Sequence, residues 1–147
     1  MRALEIYDTD ENGKLAGSLE EILRLADPPA SKLQWTLRFI EAPDDVSAAW
    51  PAGLKDLESA ASSRKFGQLL SWDQLVALAS VLRSPVDVRL DGWIRVPRPG
   101  DGPEELLLRV EVLDATLFRV WARERAVLVA LEGRFQDTRH VELSEMF

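Results

Sequence analysis

The sequence predicts a single α+β domain, mainly an antiparallel sheet with two or three helices packed on it. Three observations lead there. The chain has 147 residues, the size of one self-sufficient core, so 1–147 reads as one domain. Several segments alternate apolar and polar residues with the period of two that a half-buried strand requires. Two others open on a Ser-x-x-Glu or Ser-x-x-Gln capping box and continue with the i, i+3, i+4 apolar spacing of a helix.

Taken in order, residues 3–8 alternate Ala3, Glu5 and Tyr7 against Leu4 and Ile6, a short strand. Asn12-Gly13 then gives a hairpin signal. Ser18 with Glu21 caps a helix over about 19–26, which Asp27-Pro28-Pro29 ends. Residues 33–41 set Leu33, Trp35, Leu37 and Phe39 on one strand face. Ala42–Asp45 is a loop, and Ser47–Ala61 is ambiguous, with a short helix at 52–60. Ser71 and Gln74 open a helix over 72–82, with Leu75, Leu78, Ala79 and Leu82 inward. From Val86 the period returns to two. Asp91-Gly92 suggests two short strands or one bent strand running to 96. Pro97–Pro103, with three prolines and two glycines, is an exposed loop. Residues 105–113 and 116–122 read as strands around a turn at Asp114-Ala115. Residues 124–135 fit both a strand and a helix; the spacing of Val127, Ala130, Leu131 and Phe135 favours the helix. A short strand at 138–143 completes the sheet.

Composition narrows the function. At 46% hydrophobic and 29% charged, the chain is that of a globular protein. It holds no cysteine and one histidine, His140, which removes disulfides, thiolate metal sites and a cysteine nucleophile. No apolar run approaches the ~20 residues of a membrane span. Glu5, Asp8 and Asp10 fall where the apolar core of a signal peptide would lie. A cytoplasmic protein that does not engage a membrane is expected. No GxGxxG or GxxxxGK[ST] phosphate loop and no GxSxG elbow occurs.

The net charge is −7, and residues 1–62 carry most of it, with twelve acids against six bases. Nucleic-acid binding needs a positive field and is not expected. Arg119, Arg123, Arg125, Arg134 and Arg139 crowd the C-terminal third and read as a solvated face. An acidic half suits a basic protein partner, with Asp8, Asp10, Glu11, Asp44 and Asp45 in loops and Trp50 as an interface anchor. The stretch Asp8–Leu15 also matches the first half of a calcium loop. The twelfth position, however, is Leu19 rather than a bidentate carboxylate, so a hairpin turn is preferred and no metal is expected. The acidic pairs Glu20-Glu21, Asp44-Asp45 and Glu104-Glu105 read as solvated charge, and no cofactor or catalytic residue is expected. Of the five tryptophans, Trp35 and Trp121 are expected in the core.

The acidic, cysteine-free single domain, the segment Phe66–Leu75 and the run Leu117–Phe135 together resemble small cytosolic immunity proteins of bacterial polymorphic-toxin systems. The resemblance implies a non-catalytic antidote that binds a cognate toxin and blocks its active site, and it carries over no functional residue. Such toxins are frequently nucleases, whose cationic clefts complement acidic inhibitors. The alternatives are an accessory domain with another partner and a small carboxylate-based enzyme.

Overall fold

A computed structural model describes residues 2–144. Seven strands form one sheet in which every neighbouring pair is antiparallel. They are β1 (Arg2–Ile6), β2 (Gln34–Glu41), β3 (Gln68–Leu70), β4 (Asp87–Trp93), β5 (Leu106–Leu113), β6 (Leu117–Ala122) and β7 (Thr138–Glu142). Their spatial order is β3-β2-β4-β5-β6-β1-β7. The helices are α1 (Leu19–Leu25), α2 (Leu54–Ser62), α3 (Trp72–Val81) and α4 (Arg125–Arg134), four where two or three were expected. The additional one is α2, from the ambiguous 47–61 stretch, two residues later than the expected 52–60 helix. The α4 segment is a helix, as its apolar spacing favours, although Leu128 is buried and Ala130 exposed.

Local chemistry sets the helix ends. At α3 the box is complete: the Ser71 Oγ accepts the Gln74 N–H at 3.1 Å, and the Gln74 amide oxygen accepts the Ser71 N–H at 2.9 Å. At α1, Ser18 accepts the Glu21 N–H at 3.1 Å while the Glu21 carboxylate turns to Arg134. The four helices cover one face of the sheet. Between them lies the main core, built from Leu4, Ile6, Trp35, Leu37, Leu90, Val110, Phe118 and Val120 with the inward faces of the helices. Trp35 is fully buried, its indole N–H donates to the Ala30 carbonyl at 2.8 Å, and its ring meets the half-buried Trp72 at 6.4 Å.

Two departures from strict alternation shape β2 and β4. The β2–β4 register shifts between Leu37 and Phe39, as at a bulge that sets two residues opposite one. Phe39, expected inward with Leu37, is therefore turned out and 51% exposed, and Ile40 takes the inward place at 3%. The Asp91-Gly92 pair, which suggested a turn, instead lies inside the continuous strand β4. A Cβ on Gly92 would come within 3.0 Å of the Trp35 ring, so the glycine makes room for that indole. The true hairpin turn falls at Asp114-Ala115 between β5 and β6, where both residues take positive φ, 50° and 55°.

The second face carries no helix. A small apolar cluster of Ala3, Trp93, Leu106 and Trp121 is covered there by Phe66, Val96, Val141 and Leu143. The 63–67 segment reaches it through Gly67, whose φ is +90° and whose Cβ would strike the Leu37 carbonyl at 2.2 Å. Phe66 then stands edge-on to Trp93 at 5.6 Å. Beside this cluster, Asp91 and Arg109 are buried at 0% and 2% and joined by two hydrogen bonds of 2.6 and 3.0 Å.

Trp35→Ala should lower stability by about 3–5 kcal/mol, through the lost indole and the cavity it leaves. Denaturant melts check this, and a loss below ~1 kcal/mol would contradict its place in the core.

Candidate protein-binding surface

In an antiparallel sheet, alternate strands end at the same edge. Here β1, β2 and β5 end where β4, β6 and β7 begin. That end receives Asp8, Asp10 and Glu11 after β1, and Glu41, Asp44 and Asp45 at the end of β2 and after it. It also receives Asp87 at the start of β4, Asp114 in the β5–β6 turn and Asp137 before β7. The acidic positions read from the sequence thus come together through strand direction, although Asp8 and Asp44 lie 36 positions apart in the chain.

Several of these carboxylates hold loops. Asp8 accepts the N–H groups of Gln136 and Asp137 at 2.9 and 2.7 Å, tying the first loop to the one before β7. Asp10 accepts the N–H groups of Asn12 and Lys14, which closes the turn, and Thr9 bridges Leu15. Asp44 accepts the Ser84 N–H at 3.1 Å, and Asp87 accepts the Asp114 N–H at 2.9 Å. Glu11 and Asp45 are exposed, and Asp45 holds only the nearby Ser47, whose bonds keep its carboxyl below the ordinary aspartate range. Trp50 is half-buried against the core, and its indole N–H donates to Asp56 at 2.8 Å. It supports the loop beneath this end and offers only part of its ring outward.

Next to the acidic end, the helix-free face bears a row that the sequence reading missed. Cross-strand partners run Phe39, Arg89, Glu111, Arg119, Glu5 and Arg139 over six strands, alternating in charge after the phenylalanine. Arg89 reaches Glu111 at 3.3 Å, and Arg119 grips one Glu5 oxygen at 2.7 and 2.9 Å. The other Glu5 oxygen accepts the Tyr7 hydroxyl at 2.6 Å, and the Arg139 guanidinium lies 4.5 Å from the Tyr7 ring. Burial pushes the Glu5 carboxyl up. The hydrogen bonds from Tyr7 and Arg119 and the charges of Arg119 and Arg139 outweigh it and hold the group below the usual carboxylate range. The bond to Glu5 raises the Tyr7 hydroxyl in turn.

The remaining sequence candidates are occupied locally. Glu20 pairs with Arg24 and Glu21 with Arg134, while Glu105 pairs with Arg95 at 3.3 Å. His140 stands on the outer strand β7, exposed, with Glu132 of α4 against its Nε2. Arg119 and Arg139 belong to the charged row, whereas Arg123 and Arg125 lie at the opposite end of the sheet.

A group whose folded pKa is depressed adds stability above its unfolded pKa, and that stability is lost as pH falls through the folded value. Glu5→Gln should therefore cost most at neutral pH, and its melting-temperature deficit should shrink below pH about 4. A deficit constant from pH 7 to 3 would contradict the role given to Glu5. For the Asp8–Leu15 turn, millimolar calcium should leave the melting temperature unchanged, because Asp8 and Asp10 are committed to backbone N–H groups. A micromolar site would add roughly 4 kcal/mol at 1 mM, so an upward shift abolished by Asp10→Ala would contradict the hairpin reading.

In comparisons with known proteins, no family model, no curated protein and no solved structure matches the chain.

Proposed function

We propose that the protein is a non-catalytic, cytoplasmic binding protein of the antidote type, whose acidic sheet end engages the cationic cleft of a partner protein such as a basic toxin domain. The observation that carries the reading is the convergence of four loops bearing Asp8, Asp10, Glu11, Asp44, Asp45, Asp114 and Asp137 at one end of the sheet. A predominantly acidic surface of this kind, in which Lys14 and Arg83 are outnumbered by carboxylates, steers an oppositely charged partner and accelerates encounter. Rigid support favours the same reading. Asp8, Asp44 and Asp87 lock the loops to each other, so the exposed Glu11 and Asp45 are presented on a fixed frame, and little ordering entropy is lost on docking.

The test is co-purification with the product of the adjacent gene, followed by association kinetics over a salt series. Association should slow steeply as salt rises, since steering is screened over a Debye length of ~8 Å at physiological ionic strength. The pair Glu11→Lys and Asp45→Lys should lower the on-rate by about tenfold or more. It should lower stability by about 1 kcal/mol at most, because the bond lost, from the Ser47 N–H to Asp45, is an exposed one within a single loop. Reversal at Asp8 or Asp44 is a poorer probe, as it also breaks the hydrogen bonds that tie one loop to another. A complex indifferent to salt and to the double reversal would refute this surface as the interface.

A further inference from the structure

The 8–17 turn, the start of α1, the end of α3 and the β5–β6 turn enclose a cavity of about 450 Å³. We propose that it binds a small amphiphile with one anionic headgroup. The apolar body would lie against Leu15, Pro85 and Ala115, above a buried floor of Leu19, Leu82 and Phe118, and the headgroup would sit with the exposed Lys14 and Arg83. Small-molecule sites are clefts of roughly 300–1,000 Å³ with largely apolar walls and a few placed polar groups, and this cavity has that character.

The walls are preformed. Leu19 and Phe118 belong to the main core and are 1% exposed, and Leu82 closes α3 with its N–H on the Leu78 carbonyl at 3.2 Å. Ser84, which also lines the cavity, is held by Asp44, and Ala115 by the Val86 carbonyl at 2.8 Å. The Lys14 backbone is fixed by Asp10 on the other side.

The charge of the occupant follows from the two cations, since Glu20, the carboxylate in the lining, is already paired with Arg24 at 3.6 Å. Lys14 and Arg83 both line the cavity and stand among loops rich in carboxylates, yet neither forms an ion pair among the described residues. Asp10 bonds the Lys14 backbone N–H and Asp44 that of Ser84, which leaves the ammonium and guanidinium groups for another anion. The groove beside α4 is richer in arginine, with Arg2, Arg123 and Arg125. Its Arg2, however, already faces Glu142.

This site is independent of the partner-binding reading, and its test needs no partner. Octanoate, octanol and octylamine are titrated into the intact protein and followed by amide NMR and thermal melting. Octanoate should give saturable shifts centred on Leu15, Arg83 and Ala115 and raise the melting temperature, with octylamine at least tenfold weaker. Lys14→Glu with Arg83→Glu should weaken octanoate at least tenfold while the unliganded melt stays close to that of the parent. Ser80→Phe, on the exposed rim of the cavity, should block it from outside the core. The proposal is overturned by absence of saturable octanoate shifts, by equal binding of the three probes, or by parental octanoate affinity in the double reversal.

Discussion

The Asp91–Arg109 ion pair is the constraint around which the sheet is arranged. It joins the central strands β4 and β5, is almost completely dehydrated, and receives Arg38 from β2 at 3.0 Å on the outer Asp91 oxygen. Burying two charges is expensive, and such a pair adds little net stability compared with apolar side chains. Leaving one partner alone costs about 3–5 kcal/mol. Its effect is on register. A one-residue slip of β5 would push Arg109 into the helix-covered core and bring Leu108 and Val110 out. The bulge in β2 serves the same centre, because it sets both Arg38 and Phe39 on the helix-free side of the strand.

The two faces of the sheet solve their burial differently. One is sealed by helices and is almost wholly aliphatic and aromatic. The other is closed partly by Phe66 and Trp93 and partly by charge pairs whose hydrocarbon stems lie across the strands, as arginine stems commonly do. A face shielded in this way needs no further layer, and the loops at the sheet ends remain free to carry function. Strand direction then decides which loops share an end, and it groups Glu11 with Asp45 and the carboxylates that brace them.

Much of this was legible in the chain. Residues 108–112 alternate cleanly, whereas the skipped Leu107 leaves Leu106 on the helix-free face with Trp93, and Ser71 with Gln74 announces α3 through a purely local hydrogen-bond pair. Asp8, Asp10 and Asp44 declare themselves as loop residues, though the backbone groups that Asp8 and Asp44 hold belong to other loops and could not be read. The charged row was invisible for a similar reason. Glu5 and Arg119 stand 114 positions apart, and opposite charges become a row only after the register is known. Asp91-Gly92 misled because a turn dipeptide and a buried ion pair beside a tryptophan slot are the same two letters. The three residues of β3 are too few to show a period at all.

The first strand of the chain is inserted between two of the last. Residues 2–6 pair on one side with 118–121 and on the other with 138–142. During synthesis, Ala3, Leu4 and Ile6 are therefore made long before either partner strand, and they find both only once residues 118–142 have followed. Pairings of such sequence separation are slow to form, because the long loop must close before any contact rewards it. The sheet is thus completed by late capture of β1 between β6 and β7. Until then the apolar residues of β1 and the open edge of β6 are exposed to pairing with other chains.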